Sequence, residues 1–69
     1  MKVKNEEESR RLIAELLASP ATTQTRSLQL AVENLELDQM YYEQKGNAAG
    51  VDRCQVCLDL LHCRLAELK

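Results

Sequence analysis

The 69-residue sequence contains no tryptophan or phenylalanine, and only two tyrosines, two glycines and one proline. Large aromatic side chains therefore contribute little, and any core must consist mainly of aliphatic residues. Residues that favour strands are scarce, whereas Leu, Glu, Ala and Gln, which favour helices, dominate. The composition predicts an all-α fold.

Long apolar runs are missing as well. No segment approaches the run of about 20 apolar residues that spans a bilayer, and the first residues, MKVKNEEE, lack the apolar stretch of a signal peptide. Three cysteines are an odd number, which argues against a disulfide framework. We therefore expect a cytoplasmic protein that has no membrane partner.

An excess of basic charge is also absent, because nine Lys and Arg residues stand against eleven Asp and Glu residues and the net charge is −2. Domains of this size that bind nucleic acid usually carry a basic face. The charge makes nucleic acid an unlikely partner. A dimeric four-helix regulator that binds RNA remains an alternative.

The length allows one small domain, residues 1–69. A chain this short buries only about 60% of the surface that its unfolded form exposes, so its own core is marginal. Small chains usually gain stability from disulfides, a metal, oligomerisation or very regular helix packing. We expect a homodimer.

Three helices are predicted, at about 6–18, 23–45 and 48–68. Asn5, with Glu8 three residues later, is a variant of the capping box that starts a helix, and Pro20 stops that helix. Gly46 is the residue type that usually follows a helix end, and Asn47 can cap the third helix. Because this connection is short, the second and third helices should form an antiparallel hairpin.

Each long helix carries two apolar stripes. The inward stripes, which should face each other across the hairpin, are Leu28, Val32, Leu35 and Tyr42 against Cys54, Cys57, Leu58, Leu61 and Leu65. The outward stripes are Leu30, Leu37 and Tyr41 on the second helix and Val56, Leu60 and Cys63 on the third. A surface helix needs only one apolar stripe. The outward stripes, with Leu12 and Leu16 of the first helix, therefore form a predicted interaction surface, which a two-fold dimer with a four-helix core would cover.

The segment from Cys54 to Cys63 holds all three cysteines and the only histidine in the spacing Cys-x2-Cys-x4-His-Cys, which invites a zinc interpretation. On a continuous helix, however, Cys63 lies roughly 180° from Cys54 and cannot reach the same ion, and His62 lies roughly 80° away. Buried free cysteines are common core residues. A zinc-stabilised module that uses Cys54, Cys57 and His62 is therefore the weaker alternative, and we expect no metal or other cofactor.

Catalytic groups are also not brought together by this pattern. His62 is the only imidazole, and it does not face its neighbour Cys63 on a helix. There is no glycine-rich loop, and so short a chain offers no deep pocket. We expect a protein that is not an enzyme.

The stretch from Tyr41 to Leu60 resembles part of a tetratricopeptide repeat. Tyr41 and Tyr42 match the end of its first helix, Gly46 lies near its turn and Gly50 matches its small position; Cys54, Cys57, Leu58 and Leu37 also fit. Asn34 and Asp38 depart from the pattern, since an aromatic and a small residue are expected there, and the closing proline is missing. The resemblance covers about a third of the chain and implies helical-hairpin packing.

These features favour a non-catalytic protein that binds another protein through an apolar helix face. A small regulator, an inhibitor or a chaperone-like adaptor acts in this way. Small helical proteins of this kind are frequent in bacterial, phage and plasmid regulation, although that comparison is one of fold.

Overall fold

The computed structural model describes residues 3–69 and places three helices there, with no strand. They are α1 (Glu6–Leu16), α2 (Ala21–Gln44) and α3 (Ala48–Glu67). The predicted all-α fold is confirmed, and α2 and α3 form the predicted hairpin. The helix ends differ slightly, since α1 stops two residues early and α2 starts two residues early.

The start of α1 depends on side-chain capping. Asn5 Oδ1 accepts a hydrogen bond of 2.8 Å from the backbone N–H of Glu8, and Glu8 Oε1 accepts one of 2.8 Å from the N–H of Lys4. The Glu8 side chain therefore bonds to the N–H of Lys4, the residue before the N-cap, whereas in a standard capping box it would bond to the N–H of the N-cap residue itself. Three glutamates in the first turn, Glu6, Glu7 and Glu8, suit the positive end of the helix dipole.

Contacts at the N-terminus of α2 account for its start at Ala21, two residues before the predicted start. Pro20 occupies the N-cap position, where its fixed φ is compatible with a helix start. No side chain caps the first turn of α2. Instead, Gln24 Nε2 reaches back and donates a 2.8 Å hydrogen bond to the carbonyl of Ser19. This contact fixes the turn between α1 and α2 and lets the helix begin at Ala21.

The hairpin turn matches its predicted chemistry. Gly46 has a φ of +71°, the left-handed conformation that glycine adopts freely. Asn47 caps α3, because its Oδ1 accepts a 3.0 Å hydrogen bond from the N–H of Gly50. Three residues, 45–47, thus reverse the chain between α2 and α3.

The core lies between α2 and α3 and is closed by the N-terminal part of the chain. Most of the predicted inward stripes are buried: Leu28, Val32, Leu35, Cys54, Cys57, Leu58 and Leu61. Tyr42 and Leu65 are partly buried at its edge. Gln39 adds polar contacts between the helices, since its Nε2 donates to Gln55 Oε1 at 3.0 Å.

The first helix packs mainly on α3 and makes a smaller contact with α2 of the same chain. This corrects one predicted interaction residue: Leu12 is only 6% exposed and belongs to the core, because α1 covers its own hairpin. Val3, just before α1, is 2% exposed and joins the same core. Leu17, in contrast, follows the last residue of α1 and is mostly exposed.

No helix within residues 3–69 combines the length and the apolar character that crossing a membrane requires.

Candidate interaction surface

Four large apolar side chains of α2 point away from the core, and we call them the outer face of α2. They are Leu30, Leu37, Met40 and Tyr41, and each is more than half exposed. Leu37 follows Leu30 by seven residues and Tyr41 follows Leu37 by four, so these three lie within about 40° around the helix axis. The outer face therefore forms a continuous apolar strip about 16 Å long.

One of these side chains, Tyr41, is in contact with two neighbouring side chains. The Tyr41 ring meets the Tyr42 ring edge to face, with the centroids 5.7 Å apart and the planes at 67°. Lys45 Nζ lies 5.7 Å from the centroid of the Tyr41 ring. Tyr41 is thus an exposed aromatic side chain whose orientation is already restricted, which lowers the entropy cost of binding.

A groove between α1 and α2 extends the outer face sideways at Leu30. Its volume is about 440 Å³, and it is lined by Leu12, Glu15, Leu16, Ser27, Leu30 and Asn34. Leu16, predicted as an interaction residue, is half-buried on this groove. The lining therefore combines apolar side chains with polar and acidic ones.

A second depression lies on the other side of Leu37. Glu33, Glu36, Leu37, Gln39 and Met40 line it. The apolar strip is therefore bordered by glutamate on both sides, by Glu15 of α1 and by Glu33 and Glu36 of α2. Neither depression has a lysine or arginine among its described lining residues.

Basic groups flank the middle of α2 and are absent from it. From residue 27 to residue 44 the sequence contains no Lys or Arg, and Arg26 and Lys45 flank this stretch. Within it are Glu33, Glu36, Asp38 and Glu43. The outer face of α2 is therefore apolar along its centre and acidic along its borders.

The outward stripe of α3 is weaker than that of α2. Val56 is 42% exposed and Cys63 is also exposed, whereas Leu60 is half-buried. Of the predicted surface residues, Leu30, Leu37 and Tyr41 share one strip, while Val56 and Cys63 lie on a different helix. Met40, which completes the strip, was not among the predicted surface residues, although it precedes Tyr41 and lies three residues after Leu37.

The cysteine segment does not form a metal centre in the described residues. Cys54 and Cys57 are buried in the hairpin core, while His62 and Cys63 lie on the surface. No group of three or more His, Cys, Asp or Glu side chains within residues 3–69 is arranged to hold a metal ion. The weaker alternative with Cys54, Cys57 and His62 as zinc ligands therefore has no support from the geometry.

Burial raises the pKa of the Cys54 thiol above its ordinary value of 9.0. The charges of Asp38 and Cys57 raise it further, and the Arg53 guanidinium opposes them. A raised pKa keeps the thiol protonated at neutral pH, whereas a metal ligand or a nucleophile needs the thiolate. Cys54 therefore has the character of a structural core residue.

No protein-family model matches this chain, and neither the curated proteins nor the solved structures contain one that is significantly similar to it. The likeness to a tetratricopeptide repeat accordingly remains a likeness of hairpin packing.

Proposed function

We propose that this chain is a non-catalytic interaction protein, a small regulator, inhibitor or chaperone-like adaptor that acts by binding another protein through the outer face of α2. The observation that carries the proposal is the continuous apolar strip of Leu30, Leu37, Met40 and Tyr41, which the chain leaves uncovered. Single exposed apolar residues are ordinary, but contiguous patches mark interaction sites.

The hairpin geometry supports this reading. The inward stripe of α2 is already satisfied by α3 and α1, so the outer strip has no role in the core. Tyr41 has the character of a binding anchor, because it is aromatic, exposed and oriented by Tyr42 and Lys45. An α-helix that keeps a second apolar face on one protein commonly places it in the groove or against the helix of another.

Cytoplasmic location and homodimer formation stay part of this proposal as sequence-based expectations. A dimer would have to use either the outer face of α2 or the weaker outward face of α3. We do not extend the proposal to RNA, because the outer face of α2 is bordered by glutamates and a phosphate backbone would be repelled there.

Site-specific photo-crosslinking tests the proposal. A benzophenone amino acid is placed at position 37, on the outer face of α2. The matched control carries it at position 62, which is exposed on α3, the other helix of the hairpin. In the cells that naturally produce the protein, position 37 should yield a discrete adduct with a second polypeptide that position 62 does not yield. Equal labelling at both positions, or none at either, would contradict the proposal.

A further inference from the structure

We infer that the partner which the outer face of α2 accepts is an amphipathic helix of about three turns whose apolar anchors are flanked by lysine or arginine. The inference rests on the proposed function and deepens it by naming the chemistry of the partner. It depends on the shape of the apolar strip, on the position of Glu33 and on the absence of basic residues from the middle of α2.

The shape of the site selects a helix. Leu30, Leu37 and Tyr41 repeat at intervals of seven and four residues, the spacing at which one helix presents anchors to another. The strip is about 16 Å long, which corresponds to about three turns of a partner helix. No strand edge is available within residues 3–69 for an extended peptide to pair with.

The position of Glu33 selects the charge of that helix. Glu33 is exposed, it follows Leu30 by three residues, and it precedes Leu37 by four. A helix that covers Leu30, Leu37 and Met40 must therefore pass over the Glu33 carboxylate. Covering a carboxylate is costly unless a cation pairs with it.

The neighbouring carboxylates extend the same requirement to both sides of the strip. Glu36 borders the depression beside Leu37, and Glu15 borders the groove between α1 and α2. A partner helix with Lys or Arg on both flanks of its apolar stripe would meet an acidic side chain on each side. Such complementary borders set orientation and speed association.

A second copy of this chain is a poor occupant of this surface. The outer face of a second α2 would bring Glu33 and Glu36 with it, and residues 27–44 supply no lysine or arginine to pair with them. Arg26 precedes Leu30 by four residues and Lys45 lies beside Tyr41 just after α2, so both basic groups flank the ends of the strip and not its centre. A different chain with basic flanks satisfies the carboxylates, whereas a second copy places like charges close together.

The test uses the full chain and two synthetic 18-residue helical peptides that share the same leucine stripe. One peptide carries lysine at every flanking position and the other carries glutamate. Fluorescence anisotropy of labelled peptide gives the affinities. We expect the lysine peptide to bind, and to bind at least about tenfold more tightly than the glutamate peptide at low salt.

The matched variants are Glu33→Lys on α2 and Asp59→Lys on α3. Both side chains are exposed and both substitutions change the net charge equally, but Asp59 lies on the other helix of the hairpin, away from the outer face of α2. Glu33→Lys should weaken binding of the lysine peptide about tenfold, whereas Asp59→Lys should change it less than about twofold. Leu37→Ala should weaken it as well, because it removes an apolar anchor.

Equal losses in Glu33→Lys and Asp59→Lys would overturn the inference, since they would reflect net charge alone. A stable dimer in light scattering that Leu37→Ala dissociates would also overturn it, because a second copy would then occupy the strip. If position 37 crosslinks to a protein but neither peptide binds, the partner chemistry is wrong while the proposed function stands. If neither crosslinking nor peptide binding is seen, both fail.

Discussion

A β-carbon placed on Gly50 would lie 2.6 Å from Cγ of Tyr42. The aromatic ring of α2 therefore packs directly on the backbone of α3, just after the hairpin turn. Because Cγ is the ring atom closest to the main chain, the ring can make room only by a change of its χ1 rotamer or a shift of α2. The absence of a side chain at Gly50 is what allows the two helices to approach here.

The substitution Gly50→Ala should destabilise the protein by about 1–2 kcal/mol, since overpacking costs more than the helix propensity that alanine gains. In a Tyr42→Ala background the ring is gone, and the same substitution should stabilise the protein by about 0.5–1 kcal/mol. Urea unfolding followed by circular dichroism measures both changes. The same sign in both backgrounds would show that the ring contact is unimportant.

Gly46→Ala is the matched control for that pair. Gly46 has a φ of +71° and nothing within 4 Å of an added β-carbon, so only backbone strain applies. Its cost should be about 1 kcal/mol and should be the same with or without the Tyr42 ring.

Val3 should contribute to stability as strongly as a helix residue of the core. It is 2% exposed, and Val3→Ala removes two buried methyl groups, so we expect a loss of about 2 kcal/mol in the free energy of unfolding. The control is Leu17→Ala, at a side chain that is 60% exposed, which should cost less than about 0.5 kcal/mol. A smaller effect at Val3 than at Leu17 in thermal and urea unfolding would contradict the position of the N-terminal segment.

The buried amide of Gln24 should couple two distant parts of the chain. Its Oε1 accepts a 3.1 Å hydrogen bond from Arg64 Nη2, while its Nε2 donates to the Ser19 carbonyl. Gln24→Leu leaves both partners unsatisfied, and Arg64 Nε already has no acceptor. We expect a loss of about 1–3 kcal/mol, measured by urea unfolding.

Two further measurements test whether the hydrogen bond between Gln24 and Arg64 stabilises the protein. Glu67→Gln weakens only the 3.4 Å ion pair between Arg64 and an exposed carboxylate, so it should cost less than about 0.5 kcal/mol. A double-mutant cycle with Arg64→Leu should give a coupling of at least about 0.5 kcal/mol. Strict additivity would mean that the hydrogen bond adds nothing.

The three thiols should differ in reactivity. Cys63 is exposed, whereas Cys54 and Cys57 are 3% and 0% exposed. A thiol reagent in moderate excess should therefore modify one cysteine quickly and the other two only as fast as the protein opens. Mass spectrometry of the labelled peptides identifies the sites. Cys63→Ser should abolish the fast phase; a second fast site in that variant would place Cys54 or Cys57 at the surface.

Stability should decline in alkaline solution partly because of Cys54. Its folded pKa is raised, first by burial and then by Asp38 and Cys57, with Arg53 opposing. Its contribution is therefore complete below about pH 9, the ordinary value, and is lost as the pH rises through the raised pKa. The difference in free energy of unfolding between the wild type and Cys54→Ala should narrow above pH 9 in reducing buffer. A constant difference from pH 7 to pH 10.5 would contradict the raised pKa.

Local chemistry explains what could be predicted from the sequence. Asn5, Gly46 and Asn47 act within one turn of their own positions, so their roles as caps and turn residues are visible without a tertiary structure. The inward and outward stripes follow from the period of the helix. The helical period therefore predicts one exposed strip of Leu30, Leu37 and Tyr41, because the inward stripe of α2 lies on the other side.

Tertiary contacts explain what could not be predicted. Val3 precedes the first helix, and its burial depends on how α1 docks. Leu12 and Leu16 are predicted to lie together on the interaction surface, yet Leu12 is buried in the core and Leu16 is half-buried. Gln24 and Arg64 are 40 residues apart, so no local pattern links them.

The docking of α1 mainly on α3 also orders the events of folding. Contacts between α2 and α3 close across one tight turn, whereas the contact between α1 and α3 encloses the whole of α2. Longer loops cost more conformational entropy to close. We therefore expect the hairpin to form first, from the turn at Gly46 and Asn47, and α1 to dock last.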